Sequence, residues 1–433
     1  MYVQWIQYQW SIFHRSWLPE HAIVLQPSPF ARTMRTIFHN IGSIQTMNEN
    51  NSLIKGKNII VKDNVIEDVV DSIDEFESSD VEFIDVGERA IIPGLIDAHN
   101  HLVWAGDRFN EHRLRMEGKT YADIASMGGG IMQTVNSTRN ATDEQLYSIG
   151  MQRMKQALQN GVTFLEAKSG YGLSTKEELR LLNIVDRLKN ESNLPSIHST
   201  WMGAHAVTPD HTYASYTEEI LSEQLPEVLD SNLAESADVF CEPGWFNIEQ
   251  SEDILRASRQ GGLDLRMHVD EFSDGGGGEL AAELQVRTAD HAHHTPSDTR
   301  QKMNDAGVMT GFLPGTPYCN GDAWPDFNDA IECGIQFTLA SDFNPNCYIN
   351  SIPFIGSLAV QKNGMDPYHA LSCVTRMAAR STPRTDGLEH GVIEKGAVAN
   401  FNILKSKHWE SWCMMPSSSP VQSVCLEGQH IEF

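Results

Sequence analysis

Two histidines separated by one residue, His99 and His101, follow an apolar run that begins at Pro93. Side chains two positions apart in a β-strand point to the same face, so both imidazoles can bind one cation at the end of the strand. An isolated pair of this kind is more often a polar strand terminus than a metal site. The meaning of this pair therefore depends on which residues follow it along the chain.

Three further apolar segments also end in side chains that can bind a metal ion or move a proton. One segment runs into His268, with Glu271 three residues further on, and the others run into His291 and Asp342. Imidazole and carboxylate groups bind Zn²⁺ and Fe²⁺, and both also act as acids and bases in catalysis. The chain thus carries the parts of a metal-dependent active site, provided that the fold brings them together.

The segments between these residues predict a fold that would bring them together. Eight strand-like segments alternate with helical stretches, a pattern that is typical of an α/β protein with parallel strands. We expect the strands to close into a (β/α)8 TIM-like barrel, in which catalytic groups lie at the C-terminal ends of the strands. The predicted strands span 90–98, 162–168, 197–204, 238–242, 263–268, 288–291, 308–313 and 337–341, and the predicted helices include 142–160, 175–190 and 247–260.

All the polar termini then lie at one end of the barrel, and the sequence predicts a metal site there. Three histidines and one aspartate provide three nitrogens and one oxygen, a shell that suits Zn²⁺ or Fe²⁺ and leaves a position for water. The predicted ligands are His99, His101, His268 and Asp342.

The two ends of the chain differ from the α/β middle. Short apolar bursts split by turn residues fill residues 34–92 and return in 386–433. We expect these ends to pair into one small β-sandwich domain beside a barrel domain formed by residues 93–385. Residues 1–33 lack the uninterrupted apolar core of a signal peptide. We expect them to be a poorly ordered N-terminal extension, and the sequence leaves open whether they instead reflect a start that was assigned too far upstream.

The charge, the apolar runs and the cysteines of the chain indicate which classes of partner it can bind. In 433 residues, 32 Lys and Arg oppose 58 Asp and Glu, and the formal net charge of −26 disfavours binding to a phosphate backbone. No apolar run approaches the roughly 18 residues that a membrane helix needs. The seven cysteines form no Cys-x-x-Cys pair. We therefore expect a cytoplasmic protein with reduced thiols that binds neither nucleic acid nor a membrane.

Beyond the metal pattern, six segments carry a resemblance to a known family. From about Met34 to Phe433 the chain resembles the imidazolonepropionases, which are members of the amidohydrolase superfamily. The combination of segments is more specific than the metal ligands alone. These segments are Gly128-Gly129-Gly130-Ile131, Lys168-Ser169-Gly170-Tyr171-Gly172-Leu173, Gly203-Ala204-His205, Val239-Phe240-Cys241-Glu242, Ala289-Asp290-His291 and Ser341-Asp342-Phe343-Asn344-Pro345.

The resemblance implies a homodimer that hydrolyses the ring amide of 4-imidazolone-5-propanoate to N-formimidoyl-L-glutamate in histidine degradation. It also implies one Zn²⁺ or Fe²⁺/Fe³⁺ per chain on the four ligands named above, with Glu271, His291 and Asp342 as catalytic residues. The implied substrate contacts are Arg108, Tyr121, Tyr171, His205, Asn344 and Asn346. Asn346 departs from the pattern of many bacterial members, which have glycine there, so the geometry of its loop stays open.

Ring opening requires a nucleophile at neutral pH, and bound Zn²⁺ can lower the pKa of its water from about 15.7 to about 7. His291 can accept a proton from that water or orient it, while Glu271 can pass a proton to the leaving ring nitrogen. The sequence leaves open which of the two residues takes the first proton.

An anionic substrate needs a local cation on a chain as acidic as this one. Arg108 lies seven residues beyond His101, in the predicted loop over the barrel mouth, and its guanidinium could hold a propionate with two parallel hydrogen bonds. Arg113 and Arg115 are nearby alternatives for the same role.

Two other functions remain open at this point. Another mononuclear amidohydrolase, such as a cytosine-type deaminase, uses the same order of metal and proton-transfer residues, but a neutral base needs no carboxylate clamp. A barrel that has lost catalysis and acts as a binding scaffold would have no reason to keep all six site residues. Arg108 and the Lys168–Leu173 segment favour the imidazolone hydrolase over the deaminase.

Overall fold

The computed structural model describes residues 35–50, 52–76, 81–119, 123–124, 127–321 and 323–433. The predicted extension at residues 1–33 lies outside the described residues. The strands are β1 (Arg35–His39), β2 (Ser43–Gln45), β3 (Leu53–Ile54), β4 (Asn58–Lys62), β5 (Val65–Val70), β6 (Val81–Asp85), β7 (Ala90–Pro93), β8 (Leu95–Asp97), β9 (Val162–Lys168), β10 (Ser196–Ala204), β11 (Ser236–Cys241), β12 (Asp264–Val269), β13 (Thr288–His291), β14 (Met309–Phe312), β15 (Phe337–Leu339), β16 (Phe401–Leu404), β17 (Val421–Leu426) and β18 (Gln429–Glu432).

The α-helices lie mainly between the strands of the α/β middle. They span Phe109–Met116, Ile131–Asn140, Asp143–Gln159, Thr175–Lys189, Tyr213–Glu219, Leu225–Ser231, Ile248–Gln260, Gly277–Leu284, Ser297–Asp305, Gly315–Asn320, Phe327–Glu332, Ile352–Ser357, Pro367–Cys373 and Arg376–Ser381. Two π-helical turns, Ile220–Gln224 and Leu358–Lys362, and a 3₁₀ turn, Trp409–Cys413, complete the helical elements of the described residues.

Strands β8 to β15 form the predicted barrel. They pair in parallel in chain order, with helices in the connections. The circle is completed just beyond β8 and β15, where the Asp342 amide donates to the His99 carbonyl oxygen at 3.1 Å and the His101 amide donates to the Phe343 oxygen at 3.0 Å. Strand β9 is buried along its whole length, as expected for a strand covered on both faces. The (β/α)8 prediction is confirmed.

The predicted strand at 90–98 is wrong in one respect, because the chain makes two strands there. β7 joins a sheet with β2 and β16, whereas β8 joins the barrel through β9. The break lies at Gly94, where an added Cβ would come within 2.1 Å of the Thr163 hydroxyl oxygen. Only glycine allows this close approach of the backbone to β9.

Two further sheets lie outside the barrel. One combines strands from both ends of the chain, and the other contains strands from the N-terminal end. One sheet has the order β18-β17-β16-β7-β2-β3, in which Ile91 of β7 lies opposite Ile403 of β16, and the other has the order β5-β4-β1-β6. Phe38 and Phe401 bring the two sheets into one apolar cluster, with ring centroids 4.9 Å apart. This arrangement agrees with the expected sandwich. The domain boundaries before residues 93 and 386 stay predictions.

Two of the predicted helices begin at side-chain caps. Thr142 precedes Asp143–Gln159: its hydroxyl accepts from the Gln145 amide, and the Gln145 side chain accepts from the Thr142 amide. Asn247 and Gln250 make the same reciprocal pair before Ile248–Gln260. None of the described helices combines the length and apolarity needed to cross a membrane.

We predict that Thr142→Ala lowers the free energy of unfolding by about 1 kcal/mol, because it removes one side of this capping box. Catalytic efficiency should not change, since this helix lies on the outside of the barrel. Urea denaturation measures the effect, and Thr385→Ala, an exposed threonine in a turn, is the matched control. Equal stability of the two variants would contradict a stabilising cap.

Candidate metal centre and active site

The four predicted ligands converge at the C-terminal end of the barrel. His99 and His101 follow β8, His268 lies in β12 and Asp342 follows β15. The Nε2 atoms of His99 and His101 lie 3.5 and 3.6 Å from Asp342 Oδ1, and the His268 ring centroid lies 4.5 Å from that of His99. All four side chains are buried.

The hydrogen bonds of two of these histidines indicate what the cluster can hold. His99 Nδ1 lies 2.7 Å from an Asp290 carboxylate oxygen, and His268 Nδ1 lies 3.0 Å from an Asp238 oxygen. Each Nδ1–H therefore donates to a carboxylate. Nε2 of both rings is buried without a hydrogen-bond partner. Buried, aligned and unpartnered imidazole nitrogens next to a carboxylate fit a divalent metal ion.

Asp342 is held in place by its neighbours. The Thr316 hydroxyl donates to Asp342 Oδ2 at 2.7 Å, while Oδ1 lies beside the two imidazoles. The backbone of Asp342 is left-handed, with φ of 48°, and that of His291 is also left-handed, with φ of 67°. Residues other than glycine adopt this conformation at a cost of about 1–3 kcal/mol, which the surrounding structure has to offset. Asp342 and His291, which adopt this conformation, are both predicted catalytic residues.

His291 and Glu271 lie together at the edge of the ligand cluster. His291 Nε2 is 3.6 Å from Glu271 Oε2. Burial lowers the pKa of His291 well below its usual value, so the ring is neutral. The Glu242 carboxylate accepts hydrogen bonds from the backbone amides of Glu271 and Ser273 and thereby holds the loop that carries Glu271.

Above this cluster lies a cavity of about 390 Å³. Five of the six predicted substrate contacts line it, whereas Tyr121 lies outside the described residues. The five are Arg108, Tyr171, His205, Asn344 and Asn346. The His205 ring stacks on His101 with centroids 5.3 Å apart, and its Nδ1 lies 2.8 Å from the Gly170 carbonyl oxygen, which leaves Nε2 as the nitrogen that can contact a substrate.

One wall of the cavity carries two arginines and one buried carboxylate. Nε and Nη2 of Arg108 donate to Glu111 Oε2 at 2.9 and 2.7 Å, and Arg115 Nη2 lies 3.5 Å from the same oxygen. The Gly130 amide donates to Glu111 Oε1. The Gly128–Gly130 segment thus helps to hold the Glu111 carboxylate in place. Among the groups described, this wall brings two guanidinium groups to one buried carboxylate.

The loop that follows Asp342 is fixed by its own asparagines. The Asn344 side chain accepts from the backbone amides of Asn346 and Cys347 and donates to the Asp342 carbonyl oxygen. The Asn346 side chain contacts Arg115 and donates to Asn320 at 3.0 Å. The Asn346 side chain thus ties this loop to the arginine wall.

Sequence reasoning missed the layer beneath the metal ligands. It named Lys168 and Asp290 only as members of resemblance segments, and it gave no role to these two residues or to Asp238. Lys168 is fully buried, and its ammonium group lies 2.5 Å from Asp238 and 2.8 Å from Glu166. The available signal was the occurrence of charged residues inside segments that otherwise read as buried barrel strands.

Several known proteins are similar to this chain in sequence. A family model described as "Amidohydrolase family" matches residues 128–409. The imidazolonepropionase of Solibacter usitatus is 39% identical over 81% of this chain and 84% of its own length, and that of Clostridium tetani is 35% identical over 87% and 90%. A probable imidazolonepropionase of Nematostella vectensis is 37% identical over 76% and 77%.

Solved structures agree on the fold. A triazine hydrolase variant superimposes with a TM-score of 0.68 at 14% identity, over 92% of this chain and 95% of its own. A Xaa-Pro dipeptidase with bound methionine in the active site also gives a TM-score of 0.68, at 15% identity over 92% and 100%. At these identities the likeness concerns the barrel and its associated sheets.

We predict that Gly311→Ala weakens metal binding, because the added Cβ would lie 1.9 Å from the Asp290 oxygen Oδ1 and push this carboxylate away from His99. Metal content by elemental analysis should fall, together with a loss of stability of about 1–3 kcal/mol from overpacking. Gly150→Ala is the matched control, since its Cβ would crowd only the flexible Leu188 side chain, 2.4 Å away. A Gly311→Ala protein with full metal content would contradict this role of Asp290.

Proposed function

Because this chain belongs to the imidazolonepropionase family of the amidohydrolases, we propose that its barrel site opens the ring of an imidazolone. The enzyme hydrolyses the ring amide of 4-imidazolone-5-propanoate and releases N-formimidoyl-L-glutamate, a step of histidine degradation. The observation that carries this function is one cavity with buried imidazole nitrogens that lack a hydrogen-bond partner at its floor and with two arginines, Arg108 and Arg115, in the wall beside them. The floor suits metal-dependent hydrolysis, and the wall suits the carboxylate of the propionate.

The proposed metal ligands are His99, His101, His268 and Asp342. When bound there, the ion supplies a water of lowered pKa for attack on the ring carbonyl. His291 and Glu271 carry the two proton transfers of the reaction, one from the attacking water and one to the leaving ring nitrogen. His291 Nε2 and Glu271 Oε2 lie 3.6 Å apart beside the proposed ion, so the role of first acceptor is open to either residue.

The substrate contacts two parts of the cavity, which are the arginine wall and the rings of Tyr171 and His205 beside the metal ligands. Arg108 holds the propionate with two parallel hydrogen bonds, and Glu111 orients its guanidinium for that contact. Tyr171 donates to an oxygen of the substrate near His101. His205, whose Nδ1–H donates to the Gly170 carbonyl oxygen, accepts an N–H of the substrate at Nε2. Asn344 shapes the loop beside the ring, and Asn346 links that loop to the wall.

The deaminase alternative is not favoured. The relatives named above are imidazolonepropionases, and a neutral base offers no carboxylate for the arginines of this wall to bind. For the ion itself we propose zinc or iron, one per chain, since both suit three nitrogens and one oxygen. We further propose a homodimer in the cytoplasm, in keeping with the family and with seven free thiols.

A direct assay distinguishes the two functions. Purified protein is incubated separately with 4-imidazolone-5-propanoate and with cytosine, and both formimidoylglutamate and ammonia are measured. We expect formimidoylglutamate from the first substrate and no ammonia from the second. Ammonia release from cytosine without ring opening of the imidazolone would overturn the proposed function.

We predict that Arg108→Lys raises KM for the imidazolone about tenfold or more, because an ammonium group cannot make the planar two-bond contact with a carboxylate. A fall in kcat would accompany this change if the clamp also positions the ring. Metal content should not change. The matched control is Arg113→Lys, at an arginine whose side chain is 86% exposed and paired with Glu117. Unaltered kcat/KM in Arg108→Lys and Arg108→Ala would remove the clamp from this account.

A further inference from the structure

Lys168 is a fully buried cation that the reaction itself does not use. Its side chain is 0% exposed, and so are those of Glu166 and Asp238, with which it pairs at 2.8 and 2.5 Å. A third carboxylate, that of Asp290, lies 4.0 Å from the same ammonium group. Burying a charge costs several kcal/mol unless its partners offset the cost, so a cation in this place calls for an explanation.

The barrel topology explains how these residues meet. Lys168 lies on β9, Asp238 on β11 and Asp290 on β13, which are alternate strands of the barrel. Side chains that point inward from alternate strands form one layer of a barrel interior. The register places His268 of β12 opposite Asp290 of β13, so this charged layer lies directly behind the histidines.

Two members of the layer are the carboxylates that orient the proposed ligands. Asp238 accepts from His268 Nδ1 at 3.0 Å and Asp290 accepts from His99 Nδ1 at 2.7 Å. In the described part of the chain, Lys168 is the one lysine or arginine that pairs with either of them. Glu166 has other partners, since Arg266 lies 3.2 Å from it and the Thr200 hydroxyl donates to it at 2.6 Å.

The charges buried around Lys168 indicate what its ammonium group contributes to this layer. The layer contains the carboxylates of Glu166, Asp238 and Asp290 and the cations of Lys168 and Arg266, which makes a net charge of −1 from these five groups. Without Lys168, two adjacent buried carboxylates would repel each other, and their remaining partners would be the histidines and, for Asp290, the Thr288 hydroxyl at 3.3 Å. Either carboxylate could then turn away from its imidazole.

We propose that Lys168 is a positioning residue of the metal site, which holds Asp238 and Asp290 so that His268 and His99 present Nε2 to one ion. This inference rests on the proposed ligand set. Lys168 itself touches neither the ion nor the substrate. Loss of a carboxylate behind a ligating histidine typically weakens metal binding about 10- to 100-fold, and loss of the residue that holds two such carboxylates should have an effect of this size.

The test measures metal binding without substrate. The affinity of full-length wild type and Lys168→Met for Zn²⁺ is determined by competition with a chromogenic chelator, and the visible absorption of the Co²⁺-loaded proteins reports ligand geometry. We expect Lys168→Met to bind Zn²⁺ about 10- to 100-fold more weakly and to show an altered Co²⁺ spectrum. A folded Lys168→Met protein with wild-type affinity and spectrum would overturn the proposal.

A matched control separates positioning from general stability. Arg384 is a largely buried cation that pairs with Asp386 at 2.5 Å and Glu427 at 2.6 Å, outside the metal site. Arg384→Met should lose stability but keep wild-type metal affinity and spectrum. An equal loss of metal affinity in both variants would mean that Lys168 acts only through stability, and it would overturn the proposal.

A second variant covers the case in which Lys168→Met does not fold. The double variant Lys168→Met/Asp238→Asn removes one buried cation together with one buried anion, so it leaves fewer unpaired charges. We expect it to fold and still to bind Zn²⁺ at least tenfold more weakly. Wild-type affinity of the double variant, or failure of both variants to fold, would overturn the proposal. Wild-type protein that binds Zn²⁺ but does not open the imidazolone would contradict only the proposed function.

Discussion

Two backbone hydrogen bonds join the ends of the barrel, from the Asp342 amide to the His99 carbonyl oxygen and from the His101 amide to Phe343. Three of the four proposed metal ligands thus take part in closing the barrel circle. The side chains of His99, His101 and Asp342 meet because their backbones are already hydrogen-bonded to one another. Closure of the fold and assembly of the metal site are therefore the same structural event, and His268 joins the cluster from the opposite side of the barrel.

Electrostatics then divides the site into three levels. A buried layer with a net negative charge lies behind the histidines, the ligand cluster lies above it, and a wall with the guanidinium groups of Arg108 and Arg115 faces the cavity. The negative layer favours a cation at the floor of the cavity, while the wall favours an anionic substrate despite the overall charge of −26. Both preferences come from a few buried groups rather than from the protein surface.

Much of this arrangement was predictable from the sequence, for reasons that are local. Strand ends in a parallel barrel meet at one face, so polar residues such as His268 and Asp342 could be placed together from their position alone. The split between β7 and β8 was not predictable, because it depends on the contact of Gly94 with a strand about 70 residues later. The Lys168–Asp238 and His99–Asp290 pairs join residues 70 and 191 positions apart, and no local pattern reports such partners. The Arg108–Glu111 pair has helical spacing and could have been found.

X-ray diffraction from crystals of the metal-loaded protein, recorded at the absorption edge of the bound metal, tests the central claim most directly. The account predicts one anomalous peak per chain at about 2.0–2.2 Å from Nε2 of His99, His101 and His268 and from an Asp342 carboxylate oxygen. Elemental analysis of the same crystals should give one ion per chain. A peak at another place, or two peaks within the cavity of a fully active enzyme, would contradict a single ion held where the barrel closes.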